Sequence, residues 1–202
     1  MEILYKNIRH GYARIDKEGK LLITIPISKK WTTFEEIMIT KGQQLLKRYS
    51  KRTHIESIQE DSIVIFGEQV PLEEFYKQYP PKKPLPKRFN ISTFPHFHIL
   101  KDILREYATP ILDLYSKKIG IPYKKLSIRK TISKRGSCTY DQKISLNLDL
   151  IHLPTKYIKY VIIHEACHLK VKNHSKRFRE VVESFCPQYK ETKKELRKFV
   201  IK

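Results

Sequence analysis

The chain has 202 residues, with 41 Lys and Arg against 21 Asp and Glu, and a formal net charge of +20. That length suits one compact domain, or a small domain joined to a catalytic one, and the positive excess attracts nucleic acid, anionic membrane or acidic polypeptide without choosing among them. The first six residues lack the apolar core of a signal peptide and no run of about 18 apolar residues occurs, so neither secretion nor a membrane span is expected.

In chain order, residues 1–28 alternate as paired strands; residues 21–25 are the clearest, after a turn at Asp16-Lys17-Glu18-Gly19. Thr33 and Glu36 make a capping box for a helix that carries Phe34, Ile37, Met38, Leu45, Leu46 and Tyr49 on one broad face. Residues 62–66, Gly67 and Val70-Pro71-Leu72 read as a hairpin. Pro80, Pro81, Pro84 and Pro86 mark a linker. The expected organisation is a β-rich N-terminal region with one helix (1–79), a Pro/Lys-rich linker (80–92) and a catalytic domain (93–202).

Beyond the linker a long helix is predicted from residues 93–95 to Lys118, stopped by Gly120 and kinked or split by Pro110. Residues 126–133 and 143–150 are strand-like and are joined by Arg135-Gly136-Ser137-Cys138-Thr139-Tyr140-Asp141, as a hairpin. The next helix is free of Gly and Pro from 157 to 171, with Thr155 as the expected N-cap. Asn173-His174-Ser175 reads as a turn, Ser175 caps a further helix, and a charged helix begins near Lys190. Three cysteines, Cys138, Cys167 and Cys186, are odd in number and lack metal-type spacing, which points to a reduced, cytoplasmic setting.

The chemistry concentrates at His164-Glu165-Ala166-Cys167-His168, followed after five residues by His174. Two histidines four apart stand on one face of a helix, so both imidazoles reach one ion. His174 would bring a third nitrogen, leaving a fourth position for water, the mark of a catalytic zinc site. Glu165, a quarter-turn round the helix, can serve as the base beside the metal. Cys167 is expected to be a small buried residue and not a ligand. His96 and His98 point apart on a helix by about 200° and make a poor metal pair. His152 is either a partner that supports the metal ligands or, as the simpler reading, part of a loop, and Asn147 is either a polar contact to substrate or a local turn former. Helix, strand, strand, ligand helix, ligand turn and helix together outline an α+β zincin, in which an extended substrate can pair with a free strand edge.

Several blocks resemble the YgjP-like metallopeptidase family: Arg135-Gly136-Ser137-Cys138, Ile144-Ser145-Leu146-Asn147, Leu153-Pro154, residues 160–169, and Asn173-His174-Ser175 with Phe178. The similarity covers most of 98–190 and is weaker in the N-terminal third. It implies a gluzincin-like catalytic domain, zinc on His164, His168 and His174, Glu165 as the catalytic carboxylate, and kinship with SprT-like and WLM proteases. The family usually carries Trp where this chain has Arg135, and an aromatic where it has Arg179; both changes add positive charge near the substrate groove.

The expected activity is therefore peptide-bond hydrolysis, in which Glu165 activates a zinc-bound water. Arg135, Gly136, Ser137, Cys138 and Asn147 are the groove candidates. Eight cations and no acid lie between Leu114 and Tyr140. The alternative is a nucleic-acid-associated protein, either a DNA-dependent protease or a binding module whose zinc is not catalytic. Aromatic residues are sparse among those cations, which disfavours a single-strand stacking surface.

Overall fold

The computed structural model describes residues 1–16, 19–30, 32–50, 53–55, 57–58, 61–80, 95–131 and 134–201. Residues 81–94, with most of the expected linker, lie outside them. The chain forms two compact units, Met1–His54 and Ile55–Ile201.

In the first unit, β1 (Glu2–Lys6), β2 (Tyr12–Ile15) and β3 (Leu21–Pro26) form a sheet in the order β1-β3-β2. The β2–β3 pair is antiparallel, its turn held by the Lys20 amide on Asp16 Oδ1 and by Gly19 at φ 83. Leu21, Ile23 and Ile25 alternate along β3 and are fully buried, as the period of two requires. Helix α1 (Thr33–Ser50) covers them with a narrower face than its composition suggests. Met38 is buried and Phe34 and Leu45 are half-buried, but Ile37 and Leu46 lie exposed. Gly42 sits over Ile23, where an added Cβ would come within 2.7 Å of Cδ1. Close approach of the backbone replaces the missing side chains. A short strand, β4 (Thr53–Ile55), leads into the second unit.

That unit begins with the expected hairpin, β5 (Ser62–Ile65) and β6 (Glu68–Pro71). Phe66 and Gly67 both take positive φ, 55 and 88, as a two-residue turn of primed type demands. Helix α2 (Leu72–Gln78) follows. Residues 62–78 pack here, and not with the first sheet, because Ile63, Ile65, Leu72 and Phe75 enter the larger core. The hairpin also carries two specific ties. Phe66 N–H donates to the Ile151 carbonyl (2.7 Å), and His152 Nδ1 donates to the Val64 carbonyl (2.6 Å). Burial pushes the His152 pKa down, so this imidazole is a neutral strut in the core.

Helix α3 (Pro95–Ile119) runs through Pro110 without splitting. Leu104, Ala108, Leu112 and Tyr115 form its buried stripe. That packing outweighs the roughly 3 kcal/mol penalty of an interior proline. Gly120, at φ 78, ends the helix, its N–H and that of Ile121 closing on the Ser116 carbonyl.

The three-stranded sheet of this unit differs from the expected hairpin. β7 (Lys125–Arg129) pairs parallel with β9 (Lys143–Asn147), and β8 (Gly136–Cys138) pairs antiparallel with β9, in the order β7-β9-β8. The segment expected to be a plain turn thus supplies the edge strand. Residues 148–150, expected to extend β9, form a 3-10 turn (Leu148–His152) instead. Asn147 causes the break, because its side-chain oxygen accepts the Asp149 N–H and caps the turn.

Helix α4 (Thr155–Lys170) begins one residue earlier than expected, with Pro154, and not Thr155, in the N-cap position and no side-chain cap. It is buried nearly all round and packs on α3, β8 and β9. α5 (Lys176–Phe185), α6 (Tyr189–Leu196) and a short β10 (Phe199–Ile201) complete an α+β unit. Among the described residues no helix is long and apolar enough to cross a membrane.

Candidate metal centre and active site

An apolar stripe fixes the rotation of α4. Ile158, Ile162 and Ala166 have no exposure, and Val161 and Leu169 are buried beside them. Cys167 is also fully buried, its thiol pushed up to about 12 by burial, as a core residue and not a ligand. This placement turns His164, Glu165 and His168 toward the β8 side and the turn after α4. The turn then returns His174. One ligand atom from each of His164, His168 and His174 lies within 4.8 Å of the others. His164 Nε2 and His174 Nε2 are 3.2 Å apart.

Two features hold the rings. His168 Nδ1 lies 2.9 Å from the Val171 carbonyl; a carbonyl only accepts, so Nδ1 carries the proton and Nε2 keeps a free lone pair. Phe178 then floors the cluster. Its ring stacks on His168 with centroids 4.2 Å apart and meets His164 and His174 edge-on at 4.9 and 5.0 Å. Ser175 places it there by capping α5, its Oγ accepting the Phe178 N–H.

Burial, with His168, His174 and Lys193 close by, holds the His164 pKa down near 3. Burial lowers His168 as well, partly offset by the Val171 carbonyl. Both rings are therefore neutral at neutral pH, the form that ligates metals. Among the described residues this is the group of histidines, cysteines and carboxylates able to hold an ion. His98 lies exposed on α3, outside it.

Glu165 is buried, with 6% exposure, and burial raises its pKa to about 8 against an opposing pull from Lys134. β8 lies directly against it. A Cβ at Gly136 would come within 2.7 Å of both Cγ and Oε1 of Glu165. His164 and Glu165 open on a cavity of about 250 Å³, which Tyr160 and Gly136 also line. Burial raises the Tyr160 hydroxyl to about 12, so it stays protonated.

The remaining groove candidates divide. Gly136, Ser137 and Cys138 are the edge strand beside α4. Arg135 lines the cavity, but its guanidinium donates to the carbonyls of Leu196 (2.9 Å) and Phe199 (3.3 Å). Asn147 is committed to the fold. Its amide nitrogen donates to Thr131 O (2.9 Å) and Lys134 O (3.1 Å), and its oxygen accepts from Thr131 N and Asp149 N. The run of cations is also dispersed: Lys130 pairs with Asp149, Lys118 lies over Tyr115, and Arg129 ends β7.

A family model described as YgjP-like, metallopeptidase domain, matches residues 95–199, just over half of the chain. The chain belongs to the YgjP-like family. Membership makes it a metallopeptidase by family, with polypeptide as the substrate class and a divalent metal implied. No curated protein matches. Among solved structures, the YgjP-like chain is similar to the metallopeptidase zymogen abylysin of Pyrococcus abyssi, at 23% identity over 44% of this chain and 90% of that one, with a TM-score of 0.41. It is also similar to the zymogen jannalysin of Methanocaldococcus jannaschii, at 19% identity over 46% and 92%, with a TM-score of 0.39.

Sequence reasoning passed over three contributors to the site. Phe178 was visible only as a block residue, and its aromatic character three places after an N-capping serine was the available signal. Lys193 and Arg197 gave no signal, since nothing local says that α6 returns its cations to the cavity.

Proposed function

We propose that this protein is a zinc peptidase in which His164, His168 and His174 hold the ion and Glu165 is the general base. The convergence of three imidazoles carries the reading. Zn–N bonds of 2.0–2.1 Å in tetrahedral array put ligand nitrogens about 3.3 Å apart, close to the 3.2 Å between His164 and His174. All three donors are nitrogen, a set that suits zinc better than calcium or magnesium. When bound, zinc supplies Lewis acidity, lowering the pKa of water toward about 7 and polarising the scissile carbonyl.

The protein groups do the rest. Glu165 accepts a proton from the attacking water and hands it to the departing amine. Its raised pKa suits a shuttle working near neutrality, and a cation nearby draws it toward the ionised, basic form. The main chain of β8, on the outer edge of its sheet, offers an extended substrate backbone a pairing partner that is indifferent to sequence. Incubation of the zinc-loaded protein with a mixed peptide library, read by mass spectrometry, tests the function. New termini that vanish with a chelator are expected; a library unchanged by the loaded protein contradicts the proposal.

A further inference from the structure

Four cations line the cavity beside His164 and Glu165. Lys134 and Arg135 enter from the segment before β8, and Lys193 and Arg197 from the end of α6. Glu165 is the single acid in its lining, and the reaction already uses it. Arg135 is anchored on the carbonyls of Leu196 and Phe199. Lys134 has the Glu165 carboxylate nearby, whereas Lys193 and Arg197 form no salt bridge among the described residues. Their neighbours do: Lys156 reaches Glu195 at 2.9 Å, and Lys190 reaches Glu183 at 3.1 Å. Lys190 and Glu195 of α6 are thus paired away from the cavity, while Lys193 and Arg197, four residues apart, line it. Like charges at that spacing repel, and the repulsion is relieved when an anion sits between them.

Size limits what the anion is. Sites for whole small ligands occupy about 300–1,000 Å³, whereas this cavity measures about 250 Å³, room for one side chain or a chain end. Resting on the peptidase reading, we propose that the cavity binds a carboxylate of the substrate next to the scissile bond, either an Asp or Glu side chain or the free C-terminus. Lys193 and Arg197 are the specificity determinants, with Lys134 as a further cation in the lining. Carboxylate oxygens accept charge-assisted hydrogen bonds from all three, in a site partly screened from water.

The test uses full-length zinc-loaded protein and peptides identical except at the residue beside the scissile bond. C-terminally amidated peptides carry Glu, Gln or Lys there, and a fourth carries Gln with a free terminal carboxylate. Affinities of the same peptides for the Glu165→Gln protein, measured by calorimetry at two salt concentrations, give a readout independent of turnover. One of the two carboxylate peptides is expected to exceed the amidated Gln peptide at least tenfold in kcat/KM and in affinity, about the worth of one charged hydrogen bond. Which one does so tells side chain from chain end. In the Lys193→Glu/Arg197→Glu protein that ratio is expected to fall to one or below; being a ratio within one protein, it is insensitive to partial misfolding. Equal values for all four peptides, or a ratio unchanged in the double variant, overturn the proposal. Carboxylate-selective binding without cleavage leaves the pocket standing and removes the peptidase reading; cleavage without selectivity does the reverse.

Discussion

Gly136 and Glu165 face each other so closely that a single methyl group on Gly136 would stand 2.7 Å from the Cγ and Oε1 of the carboxylate. Real Cβ contacts are never that short, so either the edge strand or the carboxylate must move. The glycine is needed here for the absence of a side chain, and not for unusual backbone angles. Gly136→Ala is therefore expected to keep the imidazole cluster and to lose about 10²-fold in kcat, the usual cost of displacing a reacting group by about 1 Å. Steady-state kinetics beside metal analysis check this. Full activity in that variant contradicts the placement of Glu165.

Phe178 makes ring contact with all three imidazoles and is 2% exposed. Phe178→Ala is expected to cost about 3–5 kcal/mol of stability. Zinc affinity, measured by competition with a chromophoric chelator, should fall about 10–100-fold, as when groups that orient ligands are lost. An unchanged affinity would mean that α4 and the turn orient the rings without it.

Asn147 ties Thr131 and Lys134 to the start of the 3-10 turn. Asn147→Asp keeps the acceptor but removes the donor to two carbonyls and buries a charge. A loss of about 2–3 kcal/mol or more is expected in denaturant titration. A midpoint equal to that of the unsubstituted protein would show that the four contacts are dispensable.

The buried Glu165 also predicts how stability varies with pH in chelator-treated protein. Its folded pKa, about 8, lies above the ordinary 4.5. Between those values the folded chain holds a proton that the unfolded chain releases, so the contribution is present below 4.5 and is lost as pH rises through 8. Glu165→Gln removes the titration. Relative to that variant, the unsubstituted protein should lose stability steadily from pH 4.5 to 8 and then level off. Parallel profiles across that window would contradict the burial of the carboxyl.

Local signals carried much of this fold. The primed turn at Phe66-Gly67, the Ser175 cap, the Gly120 stop and the α4 ligand face each depend on residues a few places apart, and each is visible in a single sequence. What escaped depends on distant partners. Residues 136–138 look like a turn until β9 accepts them as an edge strand, and parallel pairing of β7 with β9 leaves no local mark. Pro110 argues for a break that the α3 core overrides. Ile37 and Leu46 look buried by periodicity, yet close approach at Gly42 narrows the contact face. In the site, the three histidines and Glu165 stood out by spacing. Asn147 reads equally as a substrate contact or a local turn former, and its amide takes the second role by hydrogen bonds to partners 13 and 16 residues away.

The most direct measurement is the zinc content and peptide turnover of the Glu165→Gln protein beside that of His174→Ala. The account predicts one zinc per chain and at least a 10²-fold loss of turnover in the first, and loss of tightly held zinc in the second. Turnover undiminished in Glu165→Gln, or zinc retained at full affinity without His174, would contradict it.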